Sequence, residues 1–478
     1  MIKKLGYLLI YRKIKWMADM KKERNVLDMS EKRSSFTSKI GFVLAAAGSA
    51  VGLGNLWRFP YLAAKYGGGI FLLVYLILAV TFGFALMTAE IAIGRKTGLS
   101  PIGAFQKLNK KYSFIGYLAA IIPMIILPYY SVIGGWVTKY LVTYLTGNGG
   151  AAVDGSFFGN FISQPVEPML WFLAFMGITA LVVIFGVEKG VEKVSKIMMP
   201  VLAILSLIIA IYTAFLPNAM EGIKYYLVPD FSKFSVNTVL GAMGQLFYSM
   251  SLAMGIMITY GSYMKKDVSI ENSTRQIELF DTGIAFIAGF MIIPAVVAFE
   301  GVGAMDKSGP GLMFQTLPKV FGEMFGGEII GLLFFLLVLF AALTSSISLM
   351  ETVVSVFCDK LKLERKLTCV LVFIGCILLG IPSSLGFGLW SDITIMNLSF
   401  LDFFDFISNS VLMPITALLT CIFVGYILKP KTLIDEISLT GKFKSEKLFI
   451  IIIKYFAPIC IVLILISSVL SGLGIIKI

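Results

Sequence analysis

The chain of 478 residues contains no histidine. Histidine is the commonest metal ligand and the usual general base near neutral pH, so its absence removes the commonest route to either chemistry. The five cysteines form no CxxC pair and lie within or beside apolar runs: Cys358, Cys369, Cys376, Cys421 and Cys460. Neither a disulfide framework nor a structural zinc site is indicated. An enzyme is disfavoured, because it would need a nucleophile with a base, or a metal cluster.

Charge is also scarce, since only 14% of the residues are charged and 58% are apolar. Charged residues make up about a quarter of soluble domains. A membrane-spanning helix needs about 20 mostly apolar residues, and long unbroken apolar runs indicate helices rather than barrel strands. We therefore predict an all-α membrane protein with eleven spans. Numbered 1 to 11, they lie near residues 40–65, 68–94, 113–146, 168–187, 191–216, 237–264, 281–303, 327–359, 367–383, 398–428 and 448–475.

The basic residues are unevenly placed. The net charge is +12, and 31 of the 40 lysines and arginines lie in the N-terminal arm and in the connections from even-numbered to odd-numbered spans. Loops on the cytoplasmic side of a membrane carry this excess. We expect a cytoplasmic N-terminus in a bacterial inner (plasma) membrane. The basic excess is interpreted as a topology signal and not as a nucleic-acid site.

The first 28 residues include the apolar run LGYLLIY, which is too short to cross a membrane. They are expected to form an interfacial or disordered arm, or to reflect an over-extended start, because Met29 begins a more ordinary N-terminus. Residues 29–39 are expected to be a cytoplasmic segment. The transporter-like core is predicted at 40–428, as two repeats at 40–216 and 237–428, with 448–475 as an additional span.

Two spans carry helix-weakening residues at mid-membrane. Span 1 contains AAAGSAVGLGNLWRFP, and span 6 contains GQLFYSMSLAMG. Glycine weakens a helix interior by about 1 kcal/mol relative to alanine, and serine offers the backbone local hydrogen bonds. Small residues can also serve only for close helix packing. Two matched breaks, each opening a set of five spans, favour an inverted-repeat transporter with a binding site at the midplane.

Several motifs resemble one family in sequence order. They are GSAVGLGNLWRFPYLAAKYGGGIFLLVY in spans 1 and 2, PYYSVIGGW in span 3, GQLFYSMSLAMGIMITYGSY in span 6, AALTSSISLM in span 8 and FLDFFDF in span 10. Together they are similar to the neurotransmitter:sodium symporter family, in its bacterial amino-acid transporter branch, over about residues 33–475. The resemblance implies sodium-coupled symport by alternating access, with two sodium ions, a small amino acid and the lipid bilayer as partners.

The resemblance also implies ligands for both ions. One site, the second sodium site, would use the carbonyls of Gly48, Val51 and Ala341 with the hydroxyls of Thr344 and Ser345. The other, the first sodium site, would use the Ala50 carbonyl, Asn55, Ser249 and Asp281. Sodium is a hard cation, and oxygen ligands of these kinds suit it.

Asp281 stands where familiar members usually have asparagine. Ala285 stands where they have a serine that helps to bind chloride, or a glutamate, although Tyr75, Gln245 and Ser249 match the rest of a chloride site. We infer that Asp281 supplies the negative charge at the sodium ion, so chloride should not be required. The alternative is that Asp281 only caps the start of span 7.

The substrate class follows from Gly52, which stands where amine carriers of the family place a carboxylate. The substrate should therefore bring its own carboxylate, and the amides at the span 1 break suit an anion. The residues implied for substrate binding are Ala50, Leu53, Gly54, Ile126, Tyr130, Tyr248, Ser249, Ser251, Met254, Ser345 and Leu349.

The side-chain pocket in this set is apolar, which favours hydrophobic or aromatic amino acids. Met254 stands where phenylalanine is common, and it either admits a larger ring or serves as ordinary core filler. Within the family, the alternative is a sodium-coupled carrier of another zwitterion, such as an osmolyte or an amino-alkanoate. Outside the family, the alternative is a channel or a sensor that does not transport.

Gating and structural residues carry over as well. Arg58 and Asp405 would form an outer gate, and Arg33 and Asp359 an inner one. Paired gates indicate a carrier, because a channel needs only one. Glu90 would receive free amides of the broken span 6. Gly190 and Pro200 in span 5 would allow unwinding near the inner sodium path, or only a kink.

Overall fold

A computed structural model of the chain describes residues 35–301 and 311–472. This part is almost wholly helical, with two isolated β-bridges and no strand among the described residues. The predictions for residues 1–28, for Arg33 and for most of the segment 29–39 lie outside the described residues.

The predicted spans are present as helices. Nine helices in the described ranges are long and apolar enough to cross a membrane, namely Gly69–Thr97, Lys110–Leu145, Glu167–Ile184, Val187–Ala214, Ile270–Phe299, Gly327–Leu361, Arg365–Leu385, Phe400–Ile427 and Glu446–Leu470. They correspond to spans 2 to 5 and 7 to 11. Span 1 is a pair of helices, Lys39–Ala50 and Gly54–Lys65, with a bend of 52° between them. Span 6 is divided into Val236–Ser249 and Ile256–Ser262.

Shorter helices connect the spans. They are Pro101–Leu108, Phe157–Ile162, Ala219–Leu227, Leu317–Glu323 and Pro430–Ile437.

Span 7 begins eleven residues earlier than its apolar run predicts, at Ile270 instead of 281. The Ser269 side chain caps the helix by accepting a hydrogen bond from the Asn272 amide at 3.3 Å. Hydropathy cannot find this extension, because the residues from 270 to 280 are largely polar. Asp281 consequently lies well inside the helix, and the alternative that it caps the helix start is wrong.

The break in span 6 is built from residues with unusual backbone angles. Ser251, Ala253 and Gly255 have φ of 52°, 62° and 74°. Only glycine adopts such angles without steric penalty, so Ser251 and Ala253 need support from their surroundings. Glu90 of span 2 gives part of it, because its Oε1 accepts a hydrogen bond from the Ala253 amide at 2.7 Å.

The two broken spans meet at the centre of the helical body. Span 8 packs against spans 3 and 1, and span 7 packs against spans 1 and 5. Tyr75, Trp136 and Tyr260 are among the largest fully buried side chains of this core. The packing places the free backbone groups of both breaks inside protein, where a membrane protein can tolerate them.

Candidate functional site

A cavity lies between the two breaks, with walls from spans 1, 3, 6 and 8. All eleven residues predicted to bind substrate line it. Ser49, Gly52 and Ile256 complete the lining, and none of the lining side chains carries a formal charge. The sequence analysis did not assign Ser49 or Ile256 to the site. The position of Ser49 beside Gly48 in the broken helix was the signal available for it.

One wall of the cavity presents the start of the second half of span 1. The Leu53 amide donates to the Tyr130 hydroxyl at 3.4 Å. The chain passes so close to span 8 here that a Cβ on Gly52 would lie 2.7 Å from Ser345 Oγ and 3.2 Å from the Tyr130 hydroxyl. A side chain at position 52 therefore needs the Ser345 hydroxyl to move. A carboxylate-bearing side chain does not fit there without moving its neighbours.

The opposite wall joins the two breaks by serine hydroxyls. Ser251 Oγ donates to the Ser49 carbonyl at 2.9 Å, and the hydroxyls of Ser49 and Ser251 lie 3.2 Å apart. The Tyr248 ring packs over Gly54, where a Cβ would lie 2.5 Å from a ring carbon. These contacts hold spans 1 and 6 against each other across the cavity.

A cluster of oxygen atoms lies where span 8 meets the first half of span 1. Ser345 Oγ is 3.4 Å from the Gly48 carbonyl, 3.2 Å from that of Ser49 and 3.4 Å from that of Val51. Thr344 Oγ1 is 3.1 Å from the Ala341 carbonyl. A Cβ on Gly48 would lie 3.1 Å from Thr344 Cβ, so the predicted ligands of the second sodium site are adjacent. Neutral carbonyl and hydroxyl oxygens of this kind fit a hard monovalent cation.

Asp281 is fully buried beside the second half of span 1. Its Oδ1 accepts from Asn55 Nδ2 at 2.8 Å and from Ser249 Oγ at 2.7 Å, and its Oδ2 accepts from the Tyr75 hydroxyl at 3.4 Å. Among the described residues, no lysine or arginine pairs with this carboxylate. A buried carboxylate without a cationic partner is expensive in a membrane, and either a proton or a bound cation would neutralise it. Ala50, the remaining predicted ligand of the first sodium site, lies in the cavity wall nearby.

The predicted outer gate residues, Arg58 and Asp405, make no direct ion pair in the described structure. The Arg58 guanidinium lies 5.3 Å from the centre of the Tyr248 ring. Asp405 accepts hydrogen bonds from the Tyr129 hydroxyl at 3.1 Å and from Asn409 Nδ2 at 2.6 Å. Tyr129 and Asn409 were not predicted. The pairing of Arg58 with Asp405 stays a prediction.

On the inner side, the predicted partner of Asp359 is Arg33, which lies outside the described residues. Asp359 Oδ2 accepts from the Ser100 amide at 2.8 Å. Nearby, Glu351 accepts from the Tyr263 hydroxyl at 2.8 Å and forms an ion pair with Arg365. Glu351 and Arg365 were not predicted, because a single sequence does not show that Glu351 meets Tyr263 and Arg365.

Span 5 contacts the start of span 1 through Glu192. This buried carboxylate accepts from the Thr37 amide at 2.7 Å and the Thr37 hydroxyl at 2.5 Å, and it pairs with Lys196 at 2.7 Å. Glu192 ends the wide helical turn that contains Gly190, and Pro200 lies further along inside the same span. Gly190, where span 5 was predicted to unwind, therefore lies close to the Glu192–Thr37 contact, which joins span 5 to the start of span 1.

The chain is similar to known proteins over most of its length. The sequence pattern of the sodium:neurotransmitter symporter family matches residues 33–150 and 160–473. The uncharacterized sodium-dependent transporter YhdH of Bacillus subtilis (strain 168) is 34% identical over 450 residues, which are 92% of this chain and 99% of that protein. A sodium- and chloride-dependent taurine transporter of Canis lupus familiaris is 31% identical over 365 residues, which are 66% of this chain and 58% of that protein.

Among solved structures, the crystal structure of MhsT in complex with L-phenylalanine is similar. It is 39% identical in sequence, and the likeness covers 91% of this chain and 100% of that one with a TM-score of 0.84. This likeness confirms the predicted all-α membrane fold, with two five-helix halves that each open with a broken helix. The family match confirms a multi-pass, sodium-dependent transporter that is not an enzyme. The chain belongs to the sodium:neurotransmitter symporter family.

Proposed function

We propose that this symporter imports neutral hydrophobic or aromatic L-amino acids together with two sodium ions and without a requirement for chloride. One observation carries the proposal: an uncharged cavity lies between an oxygen cluster on one side and the buried carboxylate of Asp281 on the other. Because no lining side chain carries a formal charge, the cavity suits a substrate that is neutral overall. The two sodium ions would supply the driving force for its uptake.

The substrate's two charged groups find complementary dipoles in the cavity. Its carboxylate would bind the amides of Leu53 and Gly54 and the Tyr130 hydroxyl, where a helix start presents partial positive charge. Its ammonium would bind the Ala50 and Tyr248 carbonyls and the Ser251 hydroxyl. The remaining lining is mainly apolar.

Ile126, Met254 and Leu349 would receive the substrate side chain. These side chains offer no hydrogen bond and no charge, which weighs against an osmolyte or amino-alkanoate with polar requirements. The L-phenylalanine bound in the MhsT crystal structure supports an aromatic substrate.

The charge of Asp281 is the reason to expect chloride independence. A sodium ion between Asn55, Ser249 and Asp281 would already be neutralised within the protein, so no mobile anion is needed. The taurine transporter named above shows that chloride-dependent relatives exist, and an experiment must therefore decide.

Transport would proceed by alternating access. Sodium and substrate would hold the two halves of spans 1 and 6 together, while Arg58 with Asp405 would close the outer side and Arg33 with Asp359 the inner side. Residues 40–216 and 237–428 would be the two repeats, in a bacterial inner membrane with the N-terminus in the cytoplasm. Each sodium ion that crosses contributes about 2.3 kcal/mol per 100 mV.

The test is uptake of radiolabelled amino acids into proteoliposomes that contain the purified protein. Leucine, phenylalanine, tyrosine and tryptophan are compared with taurine, and external sodium and chloride are replaced in turn by choline and gluconate. Sodium-dependent uptake of the hydrophobic set in gluconate supports the proposal. Uptake without sodium refutes the coupling, a chloride requirement refutes the role of Asp281, and a preference for taurine refutes the substrate class.

A further inference from the structure

A second, larger cavity lies away from the substrate site. It is a groove between spans 3, 8 and 9, and its walls include Met124 and Pro128 of span 3, Phe357 of span 8 and Leu371 and Leu379 of span 9. Two further leucines, Leu361 and Leu363, close it at the connection between spans 8 and 9. No transport role has been assigned to these residues.

The groove offers almost nothing to a polar ligand. The hydroxyl of Thr368, which lies in its wall, already donates to the Glu364 carbonyl at 2.9 Å. The thiol of Cys376, also in the wall, contacts Met176 Sδ at 3.6 Å. The other wall residues are apolar or glycine. A hydrocarbon chain is the ligand that this surface suits.

The length of the groove fits one leaflet of a bilayer. Along span 9 its lining runs from Thr368 to Leu379, a rise of eleven residue steps, which corresponds to about 16 Å of helix. Half of a hydrocarbon core of about 30 Å is about 15 Å. The groove is therefore long enough to hold an acyl chain from a membrane surface to about the midplane.

Basic residues surround the end of the groove at the membrane surface. In the connection, Lys360 and Lys362 alternate with the two lining leucines, and Lys366 follows; all three lysines are exposed. Lys360 Nζ lies 5.5 Å from the centre of the Tyr117 ring, which is two turns before Met124 on span 3. Lysines in this position attract the phosphate of an anionic lipid.

The other charges near this end offset the three lysines only in part. Arg365 is paired with Glu351, and the carboxylates of Asp359 and Glu364 balance two of the three lysines. One positive charge in excess thus remains beside the groove. In the proposed orientation this end faces the cytoplasm, where anionic lipids meet basic connections.

We propose that the groove is a binding site for an anionic phospholipid, with one acyl chain between spans 3, 8 and 9 and its phosphate among Lys360, Lys362 and Lys366. Spans 3 and 8 also line the substrate cavity, because Ile126 lies beside Leu127 of the groove and Leu349 lies one turn before Val353. A lipid in this groove braces the helices that carry the substrate site.

The test uses the full-length protein, delipidated in detergent and titrated with phosphatidylglycerol or phosphatidylcholine, with bound lipid counted by native mass spectrometry. Gly375→Phe fills the groove, since a Cβ at Gly375 meets no atom within 4 Å. Gly177→Phe in span 4 is the matched control, because its Cβ also meets no atom within 4 Å and Gly177 does not line the groove. We expect Gly375→Phe to lose the tightly bound phosphatidylglycerol and Gly177→Phe to retain it.

The lysines provide a second variant that leaves the groove walls intact. One lysine near an anionic surface strengthens binding about fivefold, so replacing all three by glutamine should weaken phosphatidylglycerol binding by at least about tenfold and leave phosphatidylcholine unchanged. Equal binding of the two lipids by the wild type would overturn the proposal. So would retention of phosphatidylglycerol by both Gly375→Phe and the triple-lysine variant.

Discussion

Replacing Asp281 by asparagine tests the charge at the proposed first sodium site with little change of shape. The asparagine keeps one oxygen facing Asn55 and Ser249, whose donors lie 2.8 and 2.7 Å from the native carboxylate. The substitution therefore removes one negative charge and leaves the packing nearly unchanged. Any loss of sodium affinity then reports the charge itself.

The size of the effect can be bounded. At about 4 Å and an effective dielectric constant of about 20, a sodium ion and a carboxylate attract each other by about 4 kcal/mol. Part of this is offset, because a buried carboxylate without sodium is neutralised by a proton, which sodium must displace in the wild type. A net loss of at least about 1.4 kcal/mol, or tenfold in affinity, is expected.

The assay is the sodium concentration that gives half-maximal amino-acid uptake in proteoliposomes, measured at fixed substrate in chloride and in gluconate. For Asp281→Asn we expect this concentration to rise at least about tenfold. We also expect uptake by this variant to become stimulated by chloride, because Tyr75 and Ser249 contact the lost carboxylate and, with Gln245, match part of a chloride site.

Glu278→Gln is the matched control, since Glu278 is a buried carboxylate one turn earlier in span 7 and has no part in the proposed site. It should leave the half-maximal sodium concentration within about twofold of the wild type. An unchanged sodium dependence in Asp281→Asn, or equal shifts in both variants, would refute the assignment of Asp281 as the sodium-binding charge.

Three further substitutions test other parts of the site. Gly52→Ala places a Cβ 2.7 Å from Ser345 Oγ, so amino-acid uptake should fall by about tenfold or more, and wild-type uptake would contradict the close approach. Met254→Phe should lower tryptophan uptake more than leucine uptake if Met254 contacts the substrate side chain, whereas equal losses would mark it as core filler. Glu192→Gln weakens the hold on Thr37, so hydrogen–deuterium exchange across Lys39–Ala50 should increase by about fivefold; unchanged exchange would show that other contacts fix this helix.

Much of the fold could be predicted from the sequence because the membrane imposes a simple rule. Each span appears as a long apolar run, and a helix break at bilayer depth needs glycine or small polar residues, such as Gly52 in span 1 and Ser251 in span 6. The start of span 7 escaped this rule. Its first turns project from the apolar region, and the cap at Ser269 is a local signal that hydropathy does not register.

The positions of the cavity-lining residues could be assigned through the family motifs, but most of their supporting contacts could not. Glu192 and Thr37 are 155 positions apart in the chain, and Tyr129 and Asp405 are 276 apart. A single sequence gives no indication that such residues meet. The role of Glu192 in span 5 is recognisable only from the structure, which places the start of span 1 against it.

The proposed sodium and substrate sites share side chains, and this sharing is the physical basis for coupled transport. Ser249 lines the cavity and donates to Asp281, while Ser345 lines the cavity and lies among the carbonyls of the second sodium site. A sodium ion that fixes the position of either serine also fixes a wall of the cavity. The protein then loses less conformational entropy when the substrate binds. Because such coupling is reciprocal, the substrate must raise the affinity for sodium by the same factor. Both sites use backbone groups that the two helix breaks leave free. The breaks therefore couple sodium binding to substrate binding.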